Sequence, residues 1–490
     1  MIYSCKPLTE TPTGIFNQAT DIGDPDLKGL SVYNDDIGEY TLTGGGENIW
    51  GSNDEFHFLS KEQEGDFILR AHLRFIGDGV NDHRKAGIMI RSSLSNASAH
   101  VSAVVHGDGL TSLQYRPEAG ADTREIKSNI YGAGIIQLER RGDSCFFSFA
   151  RKGETFNTIA LGGVDLAEKV KLGIFICSHE SGEPETAVFD NLRLVIPSPE
   201  NFTPYQDYIG SHIEIMDVRT GNRKIVHSSP LSLQAPNWTP DGNRLIYNSQ
   251  GKLYSFGLDS SEVNEINTGF AVNNNNDHVL SFDGKLLGIS DHTEHENNES
   301  LIYVLPAEGG EPERITDAGP SYLHGFSPDS EFMVYTAGRN NAKHLYIYKI
   351  SRFGGEEIRL TDAPGLDDGS EYSPDGEYIY FNSSRTGTMQ IWRMKPDGSQ
   401  QEQLTFDKYN DWLPHVSPDG KWLAFISYES SVRSDDHPFY KQVYIRLIPA
   451  MGGEPVVIAW LYGGQGSMNV NSWSPDGNYI AFVSNTVIEE

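Results

Sequence analysis

Three histidines stand just ahead of a repeated turn, and their placement points to metal chemistry or proton transfer. His278 and His324 precede the turn Pro (or Phe282 in its place) by four residues, His415 by three. Neutral imidazoles on neighbouring strands can meet at one ion. An oxygen from Gln465 or Glu371 would complete a set suited to Mn, Zn or a similar divalent cation. The offset of His415 opposes this, because side chains alternate sides along a strand unless the strand is irregular. Two other readings stay open: hydrogen-bonded structural histidines, and a metal-free role in touching a ligand.

The segments around these histidines are unusually polar. Asn273-Asn-Asn-Asn-Asp-His278, Leu366-Asp-Asp-Gly-Ser-Glu371, Asn410-Asp-Trp-Leu-Pro-His415 and Gly464-Gln-Gly-Ser-Met-Asn-Val-Asn471 offer amides and carboxylates. Asn237, Asn276, Asp277, Asp411, Asn469 and Asn471 are the expected ligand contacts. Asp367-Asp368 suits a catalytic acid/base or a Ca²⁺ pair, and equally a loop capping its own backbone. Asp368 is therefore a catalytic candidate. An insertion from Tyr428 to Lys441 brings His437 to the same side. If the ligand is a uronic-acid polymer, a metal could acidify the proton next to the carboxylate. His415 or His437 would abstract it, with Arg385 or Arg339 balancing charge.

What positions these residues is a phrase repeated six times. It reads Asn237-Trp-Thr-Pro-Asp-Gly242, Val279-Leu-Ser-Phe-Asp-Gly284, Gly325-Phe-Ser-Pro-Asp-Ser330, Glu371-Tyr-Ser-Pro-Asp-Gly376, His415-Val-Ser-Pro-Asp-Gly420 and Ser472-Trp-Ser-Pro-Asp-Gly477. Its Ser/Thr recurs at 239, 281, 327, 373, 417 and 474, a spacing of about 42 to 46 residues with one longer interval, which the insertion explains. That is the length of a four-stranded propeller blade. Pro sets φ, Asp caps the turn and Gly takes its left-handed position. The last phrase is followed by a single strand. Residues 212–217 and 223–227, ahead of the first phrase, are expected to complete that blade and close the ring.

Residues 9–196 read differently. Strands of alternating pattern at 66–75, 85–91, 100–106, 135–140, 145–151, 171–177 and 187–195 are separated by turn residues, as in a two-sheet sandwich. Residues 197–207 are Pro-rich and read as a short linker, leaving 208–490 for the propeller. The fold class is all-β.

Two resemblances follow from these motifs. The six phrases resemble the PD40 (WD40-like) repeats of TolB-like six-bladed propellers over about 208–490. The strand Lys85-Ala-Gly-Ile-Met-Ile-Arg91 resembles one found in concanavalin-like jelly rolls, over about 12–196. The first implies relatives that include protein-binding factors, peptidase gating domains and metal-dependent oligogalacturonate lyases. The second implies a sugar-binding module, with Trp50, Tyr115, Arg91 and His106 as contacts, against the alternative that they simply pack. Together they favour a glycan-directed protein that binds and possibly cleaves an oligosaccharide or polysaccharide, as a metal-assisted lyase or hydrolase. The alternative is a non-catalytic propeller that captures a protein or other ligand.

Composition narrows the partners. The chain has 490 residues and a formal net charge of −30, which opposes the basic stripes that nucleic-acid binding needs. No apolar run is long enough for a membrane span. Three scattered cysteines, Cys5, Cys145 and Cys177, form no zinc or disulfide framework. No Gly-rich phosphate loop and no Gly-x-Ser-x-Gly elbow is present. No signal peptide is visible at Met1-Ile-Tyr-Ser-Cys-Lys-Pro-Leu8. The expected location is periplasmic if the N-terminus is processed or truncated, and cytoplasmic otherwise.

Overall fold

The computed structural model describes residues 13–203, 206–293 and 298–488. The chain divides into two compact units, one ending at Ile196 and the other beginning at Pro197. Residues 9–12 of the expected sandwich and 204–205 of the expected linker lie outside the described residues.

The first unit is built from two antiparallel seven-stranded sheets. One runs Gln18–Ile22, Phe56–Gln63, Val170–Cys177, Lys85–Arg91, His100–His106, Leu110–Arg116 and Arg124–Tyr131. The other runs Asn157–Gly162, Ser144–Ala150, Ile135–Arg141, Phe67–Ile76, Glu185–Val195, Glu39–Gly44 and Leu30–Asn34. Alternation assigns the faces. Ala86, Ile88 and Ile90 enter the main core with Val101, Ala103, Leu138 and Phe147, while Met89 turns to a second apolar cluster with Phe56, Phe58 and Phe175. Gly87 lies between those two because nothing larger fits: a Cβ there would stand 1.8 Å from the Ala103 carbonyl oxygen. Arg91 and Arg116 are fully buried around one carboxylate. Asp54 accepts from Arg91 at 3.3 Å and from Arg116 at 2.8 and 2.6 Å, and backbone carbonyls take further guanidinium hydrogens. Arg91 is thus a structural cation and not a sugar contact. Tyr115 likewise packs against the core. His106 lies against Gln114, and only Trp50, on a two-residue hairpin strand, is exposed.

The second unit is a six-bladed propeller. Five four-stranded sheets follow one another in chain order. Their innermost strands are Gln234–Trp238, Asn274–Leu280, Ser321–Phe326, Asp367–Tyr372 and Asn410–Val416. A sixth sheet places Ser211–Asp217 between Arg223–Ser229 and Tyr479–Asn485, and a bridge from Trp473 to Ile480 extends it inward. The stretch read as a linker packs on this unit: Tyr462 Oη bonds the backbone and hydroxyl of Ser198, and Phe202 meets Tyr440 edge-on.

The repeated phrase explains itself in hydrogen bonds. In the fifth blade Ser417 Oγ donates to Asp419 Oδ1 at 2.7 Å, and that carboxylate accepts the Lys421 N–H at 3.1 Å. Ser417 Oγ accepts from Trp422 N at 3.0 Å, and Gly420 N, at φ +70°, donates back to Ser417 O. The other five phrases repeat the pattern from hydroxyl to Asp. The turn is satisfied internally and starts the second strand in register.

Candidate functional site

Each inner strand departs from regular pairing before its phrase. Register shifts occur between Gln234 and Asn237, Asn274 and His278, Leu323 and Gly325, Asp368 and Glu371, and Trp412 and His415. Three of these irregularities place Ala235, Gly369 and Leu413, each four residues before the turn Ser or Thr, in the left-handed region. At Gly369 a Cβ would come 2.5 Å from the Asn382 amide oxygen, so the position demands glycine. The bulge re-aims the residue before it. The side chains five places ahead of the turn hydroxyl, Gln234, Asn276, Tyr322, Asp368 and Asn469, all line one cavity of about 1000 Å³. The fifth blade is the exception, since Leu413 reaches the cavity there and Trp412 is buried behind it.

The wall of this wide cavity is rich in amides: Asn248, Gln250, Asn273, Asn274, Asn275 and Gln465 join those above. Asn248 Nδ2 holds the backbone oxygens of Asn274 and Asn275 at 2.9 and 2.8 Å, which fixes the asparagine run in place. Among the described residues several buried polar atoms have no hydrogen-bond partner: Asn274 Oδ1, His324 Nδ1 and Gln465 Oε1.

Four titratable groups from four successive blades line the same wall: Asp277, His324, Asp368 and His437. His324 Nε2 lies 2.9 Å from Asp368 Oδ1. Burial alone would raise Asp368, yet the charge and hydrogen bond of His324 win and hold it at about 2. Burial likewise opposes charge on His324, but Asp368 raises it above the usual imidazole range. In this dyad Asp368 thus favours the charged form of the ring, which it faces as a carboxylate. Asp277 is pushed up to about 7, first by burial, with His324 pulling it down and Asp368 pushing it up. His437 is lowered by burial and stays neutral, its ring stacked on Trp412 at 4.3 Å. Tyr322 is raised by burial to about 12.

Several expected site residues lie elsewhere. His278 is fully buried and its Nε2 faces the Ile246 carbonyl at 3.4 Å, while His415 has Glu371 Oε2 at 2.8 Å on Nδ1 and the Met468 carbonyl at 3.0 Å on Nε2. Glu371 is committed to His415, the Val416 N–H and Asn471 Nδ2. The set His278, His324, His415, Gln465 and Glu371 thus does not fit a shared metal. Among the described residues no group of three His, Cys, Asp or Glu is placed to hold one. The bulges aim these side chains at separate partners. Arg385 pairs with Asp367 at 3.0 Å over the Trp392 ring, and Arg339 pairs with Glu357 at 2.5 Å, so neither faces the cavity. Asp411 is enclosed by Arg446 and Ser427. Asn237 Nδ2 donates to the Asn471 backbone oxygen at 2.6 Å, joining the first and last blades, and both residues line the opposite end of the channel. Asp277, Asn276, Asn469, Gln465, His324, Asp368 and His437 are brought together. Sequence reasoning missed Gln234, Tyr322, Asn248 and Tyr208. The common distance from the turn hydroxyl would have found the first two.

Relatives agree with the architecture. The family described as TolB beta propeller domain (PD40) matches residues 324–437. An uncharacterized protein of Agrobacterium fabrum is 46% identical over 274 residues, 56% of this chain and 92% of that protein. A solved Agrobacterium tumefaciens structure, described as a candidate TolB, is 44% identical and superposes with a TM-score of 0.55, covering 58% of this chain and all of its own. The Tol-Pal system protein TolB of Francisella tularensis is 26% identical over 233 residues, and the chain spans only 52% of its length. The six blades, their repeated phrase and these identities place the chain in the TolB-like family of PD40 β-propellers.

Proposed function

We propose that the wide cavity binds a polyhydroxylated ligand, the end of an oligosaccharide, and acts on it by proton transfer. The observation that carries this reading is the unsatisfied amide wall. Among the described residues Asn274 Oδ1 and Gln465 Oε1 are buried acceptors without partners, and a ligand hydroxyl would satisfy each. Amides present donors and acceptors side by side, which suits sugar hydroxyls, and the Tyr208 and Phe439 rings offer apolar faces beside them. Asp277 can give a proton to a glycosidic oxygen as that C–O bond breaks. Water adds to the anomeric carbon, and neutral His437 accepts the proton that the water loses.

The test is calorimetry of the full chain against neutral and uronic oligosaccharides, with products followed by mass spectrometry. One or more should bind, and Asn276→Ala should weaken binding about tenfold. Product formation should fall as pH rises through about 7, where Asp277 loses its proton. If no oligosaccharide binds while a protein or peptide does, the cavity is a capture site. That second reading is favoured by the likeness to the Tol-Pal system protein TolB.

A further inference from the structure

The other end of the channel is chemically unlike the wide cavity. The residue immediately before each turn hydroxyl is apolar in all six phrases: Trp238, Leu280, Phe326, Tyr372, Val416 and Trp473. All six line a second cavity of about 270 Å³, one from each blade, with turn prolines around its rim. Phe282 replaces the turn proline of the second blade and stands 43% exposed at that rim. An apolar pocket of this size has room for a small ring.

Its polar atoms are few, and most are spent. Glu371, Asn237 and Asn471 bond one another and the backbone. Two buried atoms are not spent: among the described residues neither the Trp238 indole Nε1 nor His324 Nδ1 has a hydrogen-bond partner. His324 lines both cavities, and its other nitrogen is held by Asp368, which lines only the wide one. The indole N–H is a donor only, and the imidazolium that Asp368 favours carries a proton on Nδ1 as well. Two idle donors in an aromatic ring of walls call for an acceptor oxygen on an apolar ligand.

We propose that this narrow cavity is a second ligand site, which takes a single planar aromatic ring bearing one hydrogen-bonding oxygen. The volume admits one ring, the aromatic walls offer edge and face contacts, and an oxygen on that ring could accept from either donor.

The probe is phenol, titrated into the full-length protein and followed by tryptophan fluorescence, since Trp238 and Trp473 form the wall, and by saturation-transfer NMR. Phenol should saturate, with toluene about tenfold weaker for want of the oxygen and cyclohexanol weaker for want of the ring. Val416→Trp should fill the cavity and abolish phenol binding. Phe282→Asp, at the exposed rim, should weaken it with the fold intact by thermal melting, while Asn276→Ala in the wide cavity should leave it unchanged. N-acetyl-tyrosinamide binding as well as phenol would assign the ring to a polypeptide, and phenol binding alone to a free small molecule; both keep the site. The proposal is overturned if phenol fails to saturate, if toluene matches phenol, or if a folded Val416→Trp or Phe282→Asp protein binds phenol as before.

Discussion

Asp54 in the first unit and Asp277 in the propeller are both buried carboxylates, and they are treated in opposite ways. Asp54 has two guanidinium partners within 3.3 Å, and both of these arginines also donate to backbone oxygens. Among the described residues no ion pair is formed by Asp277; its backbone N–H donates to Asn275 Oδ1, and His324, whose charge pulls the Asp277 pKa down, is committed to Asp368. The first arrangement closes a loop over a sheet. The second leaves a carboxyl group holding its proton near neutral pH against a cavity. The full set of partners on Asp54 fits an architectural role, whereas the sparse set on Asp277 makes it a candidate for chemistry.

Asp54→Ala should have the largest effect. It strands two buried guanidinium groups, and breaking one such pair already costs about 3–5 kcal/mol. Urea unfolding of the sandwich unit should show a loss of about 5 kcal/mol or outright failure to fold. Residues 13–196 expressed alone would isolate that transition, and a wild-type fragment that stays unfolded would argue against an autonomous sandwich.

Asp277→Asn should act in the opposite direction. The folded protein holds the Asp277 proton up to about pH 7, whereas an unfolded carboxyl releases it near 4. Between those values the folded state binds more protons, so the wild type loses stability as pH rises from about 4 to 7. Three units at about 1.4 kcal/mol each set an upper bound of about 4 kcal/mol. The variant should match wild type at pH 4 and exceed it at pH 8 in chemical denaturation. Equal stability of the two proteins at pH 8 would mean the carboxyl is not buried as described.

Asp368→Asn tests the dyad. It removes the carboxylate that raises His324, so burial then dominates and the imidazole should lose its proton well below its wild-type value, read by the ring NMR shifts against pH. The lost charge-assisted bond should cost about 2 kcal/mol. Asp368 is held at about 2, so its own contribution is fully present above about pH 4 and is lost as pH falls from there through about 2.

The sequence was a better guide to strands than to the directions of side chains. The turn phrase is legible because its bonds are local: Ser417, Asp419 and Gly420 satisfy one another within a few residues. Strands such as Lys85–Arg91 and His100–His106 are legible because both are wholly buried and apolar on at least one face. Edge strands such as Leu30–Asn34 and Asn157–Gly162, mostly exposed, carry no such pattern. The histidines could not be placed because each inner strand has a bulge whose extra residue is invisible to period-two counting. His415 falls between blades and His324 into the channel for that reason. His437, carried by the insertion after Tyr428, lines the wide cavity.

The smallest effect belongs to a carboxylate that is satisfied but exposed. Asp419 accepts from Ser417 Oγ, the Lys421 N–H and Lys421 Nζ, and these bonds hold it at about 2. Its side chain is half open to solvent, so water screens the charge and little of that shift becomes folding energy. What Asp419→Ala removes is the turn cap, worth about 1 kcal/mol by analogy with helix caps. The loss should be nearly constant from pH 5 to 9, because the carboxylate is ionised in both states there. Ligand binding in either cavity should not change, since Asp419 lines neither. A loss approaching that of Asp54→Ala would show that exposure does not separate the two kinds of carboxylate. The contrast between architectural and functional charge would then have to rest on partners alone.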